Sequence, residues 1–284
     1  MQTRQTAASP MNIFVAVLVV VAVTAVAVAA MLVVRRNAPD GSYFHDGDRA
    51  AGVFGVLATG FAVLLGFVVF LAFTSYDAAR SGAEQEAVIV AQQVETAQLF
   101  PPSVRDRLTG ELVCYARSVA GVQWEMMEEG KLGEQLNPWG SQLFLTLRTV
   151  DPKTAAEQSA FDAWLSQTSN RESARNDRIH GAVGVIPTPL WIVLFFISGV
   201  IFVYMLFFAD KGERAVVQAL LMGTVVAVIT AMLLLLYALD NPFHKGIGGL
   251  RPVAMERTLQ IIGEKLAISG NHDAAPCDAR GNAS

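Results

Sequence analysis

Charge is scarce in this chain. Of its 284 residues 16% are Asp, Glu, Lys or Arg, while 53% are hydrophobic; a soluble domain is nearer a quarter charged. The deficit is concentrated. Four blocks, Met11–Val34, Ala50–Tyr76, Gly181–Ala209 and Ala215–Leu239, contain no Asp, Glu, Lys, Arg or His. Each exceeds the roughly 20 residues that carry a helix across a ~30 Å hydrocarbon core. In lipid a helix satisfies its own backbone groups, so the environment dictates the secondary structure. An ordinary soluble protein is thereby excluded. A proton-coupled transporter fits poorly, because such proteins place acids or histidines at mid-membrane.

Other absences narrow the field further. The two cysteines, Cys114 and Cys277, lie far apart without CxxC or CxxH spacing, and the four histidines are scattered, so no zinc site is expected. A net charge of −4 gives no footprint for nucleic acid. No GxSxG, HExxH, P-loop or GxGxxG in a strand-to-helix setting occurs. Neither an enzyme nor a bound cofactor is expected.

What is present is organised around Ala50–Arg80. This stretch meets no turn signal and runs on into SYDAARSGAEQEAVIVAQQVETA. The pattern predicts one long helix that leaves the membrane and enters water. Ala51 and Gly55 form a small-xxx-small pair, and Gly60 and Gly66 follow; glycines cost helix propensity, so close packing against neighbours is expected. Further on, Ala83, Ala87, Val90, Val94 and Ala97 form a narrow apolar seam. It faces either another subunit or the chain's own soluble block.

Pro101-Pro102 ends that helix. A second soluble helix is predicted from about Ser103 to Glu129, with Leu108, Leu112, Tyr115 and Val119 on its core face. A third runs from Ser141 to about Val150. A fourth runs from about Thr154 to His180, with Asp151 as N-cap and Phe161, Trp164 and Leu165 inward. The expected division is spans one and two (1–76), a helical soluble domain (77–183), a hairpin of spans three and four (184–240), and a post-membrane segment with a short helix and a disordered tail (241–284). The fold class is all-α, four transmembrane helices with a helical soluble domain inserted between spans two and three.

Three features need weighing. The first block ends in a signal-like AVAVAA, but its apolar run is long and Arg35-Arg36 follows, so an uncleaved, lipid-facing anchor is expected. Arg171, Arg175 and Arg178 share one helix face. They form an electropositive vestibule that concentrates anions, a surface face paired with Glu172 and Asp177, or a flank that fixes topology. Orientation stays open. The short connections carry Arg35, Arg36, Arg49, Lys211 and Arg214 densely, whereas the opposite flanks carry more basic residues over a longer stretch.

Two motifs carry a family resemblance. LAFTSYDAAR (Leu71–Arg80) resembles the run with which the pore helix of bestrophins leaves the membrane, and LDNPF (Leu239–Phe243) resembles the NPFG element after their last span. With the PTPLW run and the order of elements, the chain is most similar to the bacterial bestrophin-like family. The resemblance implies an oligomeric ion channel, a homopentamer with the second spans around a shared pore, anion-selective before cation-selective, in the bacterial inner membrane. Its partners would be lipid, further copies of itself and a permeant ion. Leu65, Val69 and Phe73 would form the apolar neck, and Asp240, Asn241, Pro242 and Phe243 a post-membrane gating element. The continuation HKGIGGLRP lacks the acidic cluster of calcium-sensing bestrophins, so no calcium clasp is implied. The competing class is a non-conducting membrane scaffold or sensor whose helical domain binds a partner.

Overall fold

The computed structural model describes residues 13–39, 43–131, 137–246, 248–268 and 275–283. Four helices are long and apolar enough to span a membrane: α1 (Ile13–Arg36), α2 (Gly47–Ala97), α7 (Thr188–Phe207) and α8 (Ala215–Asp240). Between α2 and α7 lie α3 (Pro102–Ser118), a π-helical turn (Val119–Gln123), α4 (Trp124–Glu128), α5 (Pro138–Leu147) and α6 (Ala155–His180), and α9 (Val253–Ile268) follows the last span. No strand occurs among the described residues, only an isolated bridge between Cys277 and Ala283.

At 51 residues α2 is one continuous helix, about 75 Å long at 1.5 Å per residue. Asp46 starts it as N-cap, its carboxylate accepting the Arg49 amide at 3.0 Å. In the membrane half, Phe61, Leu65, Val68 and Ala72 pack with Ile186, Leu194, Ile201 and Leu236. Helix α1 packs on α8, where Ala27 and Met31 meet Met222 and Val226. Gly223 of α8 faces Thr24 and Val28 of α1. The outward faces remain apolar, Phe14 being 78% exposed and Val56 76%, as lipid-covered or subunit-covered surfaces must be.

Beyond the membrane the α2 seam faces the chain's own domain. Ala87, Val90, Val94 and Ala97 join Leu108, Leu112, Tyr115, Leu143 and Trp164 in one core. Each large side chain removed from water there contributes about 1.5–3 kcal/mol before entropy is charged. Helix α3 is buried around most of its circumference. A Schellman closure ends α4: Gly130 adopts φ 67°, with Gly130 N bonded to Met127 O and Lys131 N to Met126 O.

Some boundaries differ from the sequence expectation. Helix α6 is capped by Thr154, whose hydroxyl accepts the Glu157 amide at 3.1 Å, rather than by Asp151; the pair Thr154 and Glu157 is the capping-box spacing. Trp164 is buried as expected, but Leu165 is exposed. The tail reading is corrected for residues 275–283. Cys277 is disulfide-bonded to Cys114, and Trp139 Nε1 donates to Gly281 O at 2.7 Å. Gly281, at φ +80°, sits where a Cβ would strike the Ser118 backbone.

Candidate pore helix and its supporting network

The packed face of α2 separates two sets of residues. Leu65 is 6% exposed and belongs to the contact with α7 and α8. Val69 is partly buried against the same cluster, whereas Phe73 is 52% exposed. The three expected neck residues therefore do not share a free face. Opposite the packed face, helical geometry aligns Val56, Val63 and Phe70, with Phe67 and Phe73 flanking them; all five are exposed in the single chain. A Cβ added at Gly52, Gly55, Gly60 or Gly66 would meet nothing within 4 Å. The glycines thus relieve no crowding inside the chain, and they leave α2 open to close approach from outside.

Where α2 leaves the membrane it crosses α6 at contact distance. A Cβ at Gly181 would strike Ala79 Cβ, and one at Gly82 would stand 2.6 Å from Ala174 O. Only glycine permits this approach. The LDNPF element closes the same junction. Asp240 Oδ1 accepts the Ile186 amide at 3.0 Å and Oδ2 accepts Trp191 Nε1 at 3.4 Å, so the carboxylate holds the turn into α7. Asn241 Nδ2 donates to Tyr237 O at 2.9 Å. Pro242 O accepts the Leu250 amide at 2.8 Å, and Phe243, 2% exposed, stacks edge-on to Trp124 at 5.1 Å. Phe243 thus ties the end of α8 to the domain, Asp240 ties it to the start of α7, and Asn241 and Pro242 brace the turn itself. Tyr76 adds a bond to Gly248 O at 2.9 Å.

Arg171 and Arg178 point inward, which corrects the exterior readings for these two, while the expected pairing with Glu172 is present at Arg171 and Arg175. Arg178 is fully buried, donating to Glu86 of α2 at 2.5 and 3.1 Å and to Gln123 Oε1 at 3.2 Å. The π-helical turn aims Gln123 at that guanidinium; such turns shift the helical register by one residue. Tyr115 donates its hydroxyl to Glu86 Oε1 at 2.5 Å. Burial and then the Glu86 charge push the Tyr115 phenol well above its usual pKa. For Arg178 burial opposes the charge, but the Glu86 carboxylate outweighs it and the net shift is upward. Arg171 is also buried, over the Tyr115 ring at 4.7 Å. Arg175 stays closer to the surface beside Glu172. Sequence periodicity found the shared face of the arginines but not Glu86, whose partner lies 92 positions away. No group of three His, Cys, Asp or Glu able to hold a metal occurs among the described residues.

A helical membrane protein whose second span continues as the spine of a helical domain, closed by an NPF turn after the last span, is a bestrophin-type architecture. The chain belongs to the bestrophin-like family, matching the Bestrophin-like domain over residues 13–253. Solved structures agree on the fold. A bacterial bestrophin homologue from Klebsiella pneumoniae is 15% identical with TM-score 0.64, covering 92% of this chain and 100% of that one. A point mutant of that homologue gives TM-score 0.64 at 12% identity, covering 86% and 98%. Another structure, a membrane protein, gives TM-score 0.66 at 13% identity, covering 89% and 99%. No curated protein matches the chain.

Proposed function

We propose that this protein is a channel in which several copies gather with the free faces of α2 around a common axis, five copies being the number the family resemblance implies. The observation that carries the proposal is the free face itself. It is uncharged from Ala50 to Tyr76, its glycines are unobstructed, and it presents Val56, Val63, Phe67 and Phe70 outward. Phenylalanine and valine rings at a narrow point form an apolar constriction that gates by wetting. Relative to the neck expected from sequence, the line moves from Leu65 and Val69 to Val63 and Phe70.

Selectivity changes with the geometry. Arg171 and Arg178 are buried inside the subunit and cannot draw anions to the mouth. The charged residue nearest the free-face line where α2 leaves the membrane is Asp77, which is exposed. A ring of carboxylates favours cations, so the anion-selective form of the proposal loses its support and a cation-conducting pore replaces it. Purified protein in liposomes under opposed potassium and chloride gradients tests this. A reversal potential near the potassium value is expected. No flux from correctly assembled oligomer would instead support a non-conducting scaffold, and cysteines introduced at Val63 that never crosslink between copies would remove the shared axis.

A further inference from the structure

The helical domain contains a guanidinium that no buried acid among the described residues answers. Arg171 is 1% exposed. It donates to Gln93 Oε1 at 2.8 Å, and its one carboxylate contact, Glu172 at 3.3 Å, is 42% exposed. Its Nε has no partner. One turn on, Arg175 lies 3.5 Å from the other Glu172 oxygen, and its Nε is likewise buried and unpartnered. Across from them, Asn137 spends its Oδ1 on the Trp139 amide at 3.1 Å, capping α5. Its Nδ2, on a side chain 6% exposed, is left without a partner.

All three residues line one cavity of about 420 Å³ between α5 and α6, with Thr168 and Phe144 also on its wall. A buried donor left unmade costs about 1–3 kcal/mol. Three residues carrying such donors wall one space, and there two guanidinium charges face one half-exposed carboxylate among the described residues, an excess that a ligand with several acceptors would balance. The first turn of α5 adds its partial positive charge.

We propose that this cavity binds a small oxyanion of the carboxylate or phosphate class, with any apolar part resting on Phe144. Guanidinium forks match the paired oxygens of these groups better than they match a spherical halide. Gln93, which holds Arg171, lies about 24 Å along α2 from Asp77 at the membrane exit. That distance places the site beyond lipid headgroups, so the ligand comes from solution. The site is independent of the pore and stands whether or not the protein conducts.

The test uses full-length protein in detergent, followed by thermal unfolding while phosphate or acetate replaces chloride at constant ionic strength. At least one of the two should raise the melting temperature saturably. Asn137→Asp keeps the oxygen that caps α5 but replaces the free donor with negative charge, and Arg175→Gln removes the less buried guanidinium. Each should raise the half-saturating concentration about tenfold or more, while Asn137→Asp without added oxyanion melts no lower than the parent. Absence of a saturable effect with either ion would overturn the site, as would unchanged half-saturation in both variants. So would stabilisation by anionic-lipid nanodiscs but not by dissolved ions.

Discussion

Arg178 holds Glu86 with two donors, Nε on Oε2 at 2.5 Å and Nη2 on Oε1 at 3.1 Å, and neither side chain reaches solvent. The pair joins α6 to α2 just beyond the membrane. An ion pair this deep adds little net stability against an apolar replacement, because both charges lost their water. Its force lies in what happens when one partner goes: the other is left charged and unanswered.

Glu86→Gln should therefore lower stability by about 3–5 kcal/mol, and Arg178→Gln by a similar amount. The double substitution should cost less than the sum of the two. Thermal unfolding of the detergent-purified protein measures all three, and strict additivity would show that the groups do not act as a pair.

Tyr115→Phe removes the hydroxyl that donates to Glu86 and should cost about 1.5–3 kcal/mol, the range for a hydrogen bond to a charged group. The pH dependence has a definite sign. The folded-state pKa of Tyr115 is raised, so its contribution is complete below the unfolded value, about 10, and is lost as pH climbs toward the folded value. Unfolding curves between neutral and strongly alkaline pH should lose part of their alkaline slope in Tyr115→Phe. An identical slope would show that the phenol does not titrate with unfolding.

Phe70→Ala and Leu65→Ala should part company. Phe70 is exposed and Leu65 buried. Truncating Phe70 should widen the constriction and raise liposome flux with little change in melting. Truncating Leu65 should cost about 2–5 kcal/mol by opening a cavity against α7 and α8. If Leu65→Ala raises flux at constant stability and Phe70→Ala does nothing, the faces have been assigned the wrong way round.

Gly181→Ala should destabilise the α2–α6 crossing by about 1–3 kcal/mol, the usual cost of overpacking, because its new methyl would meet Ala79. Gly55→Ala, in open space, should not weaken the isolated subunit; its effect should appear in assembly. Comparing melting with oligomer size by light scattering separates the two.

Spans and the helical domain were legible because their signals are local. Uncharged runs, a 3.6-residue apolar period and Pro-Pro stops act within a few turns, and the short LDNPF and SYDAAR motifs carried the family. Residue pairing across the chain was not legible. The arginines at 171, 175 and 178 read equally well as a surface face, and nothing near them in sequence identifies Glu86 or Gln93. Likewise the spacing of Cys114 and Cys277 gives no hint of a bridge.

Composition and periodicity alone determined that this chain crosses a bilayer four times as helices and carries a helical block on a prolonged second crossing, because unbroken apolar runs of this length satisfy their own backbone in lipid as helices. Tertiary structure decided which side of that crossing is free, where the arginines find their partners, and that the chain's end is fastened to α3. Those outcomes depend on the rotation of one packed helix against another, and a rotation of about 140°, the separation of residues five apart at 3.6 per turn, would exchange the buried Leu65 for the exposed Phe70 without altering a single residue.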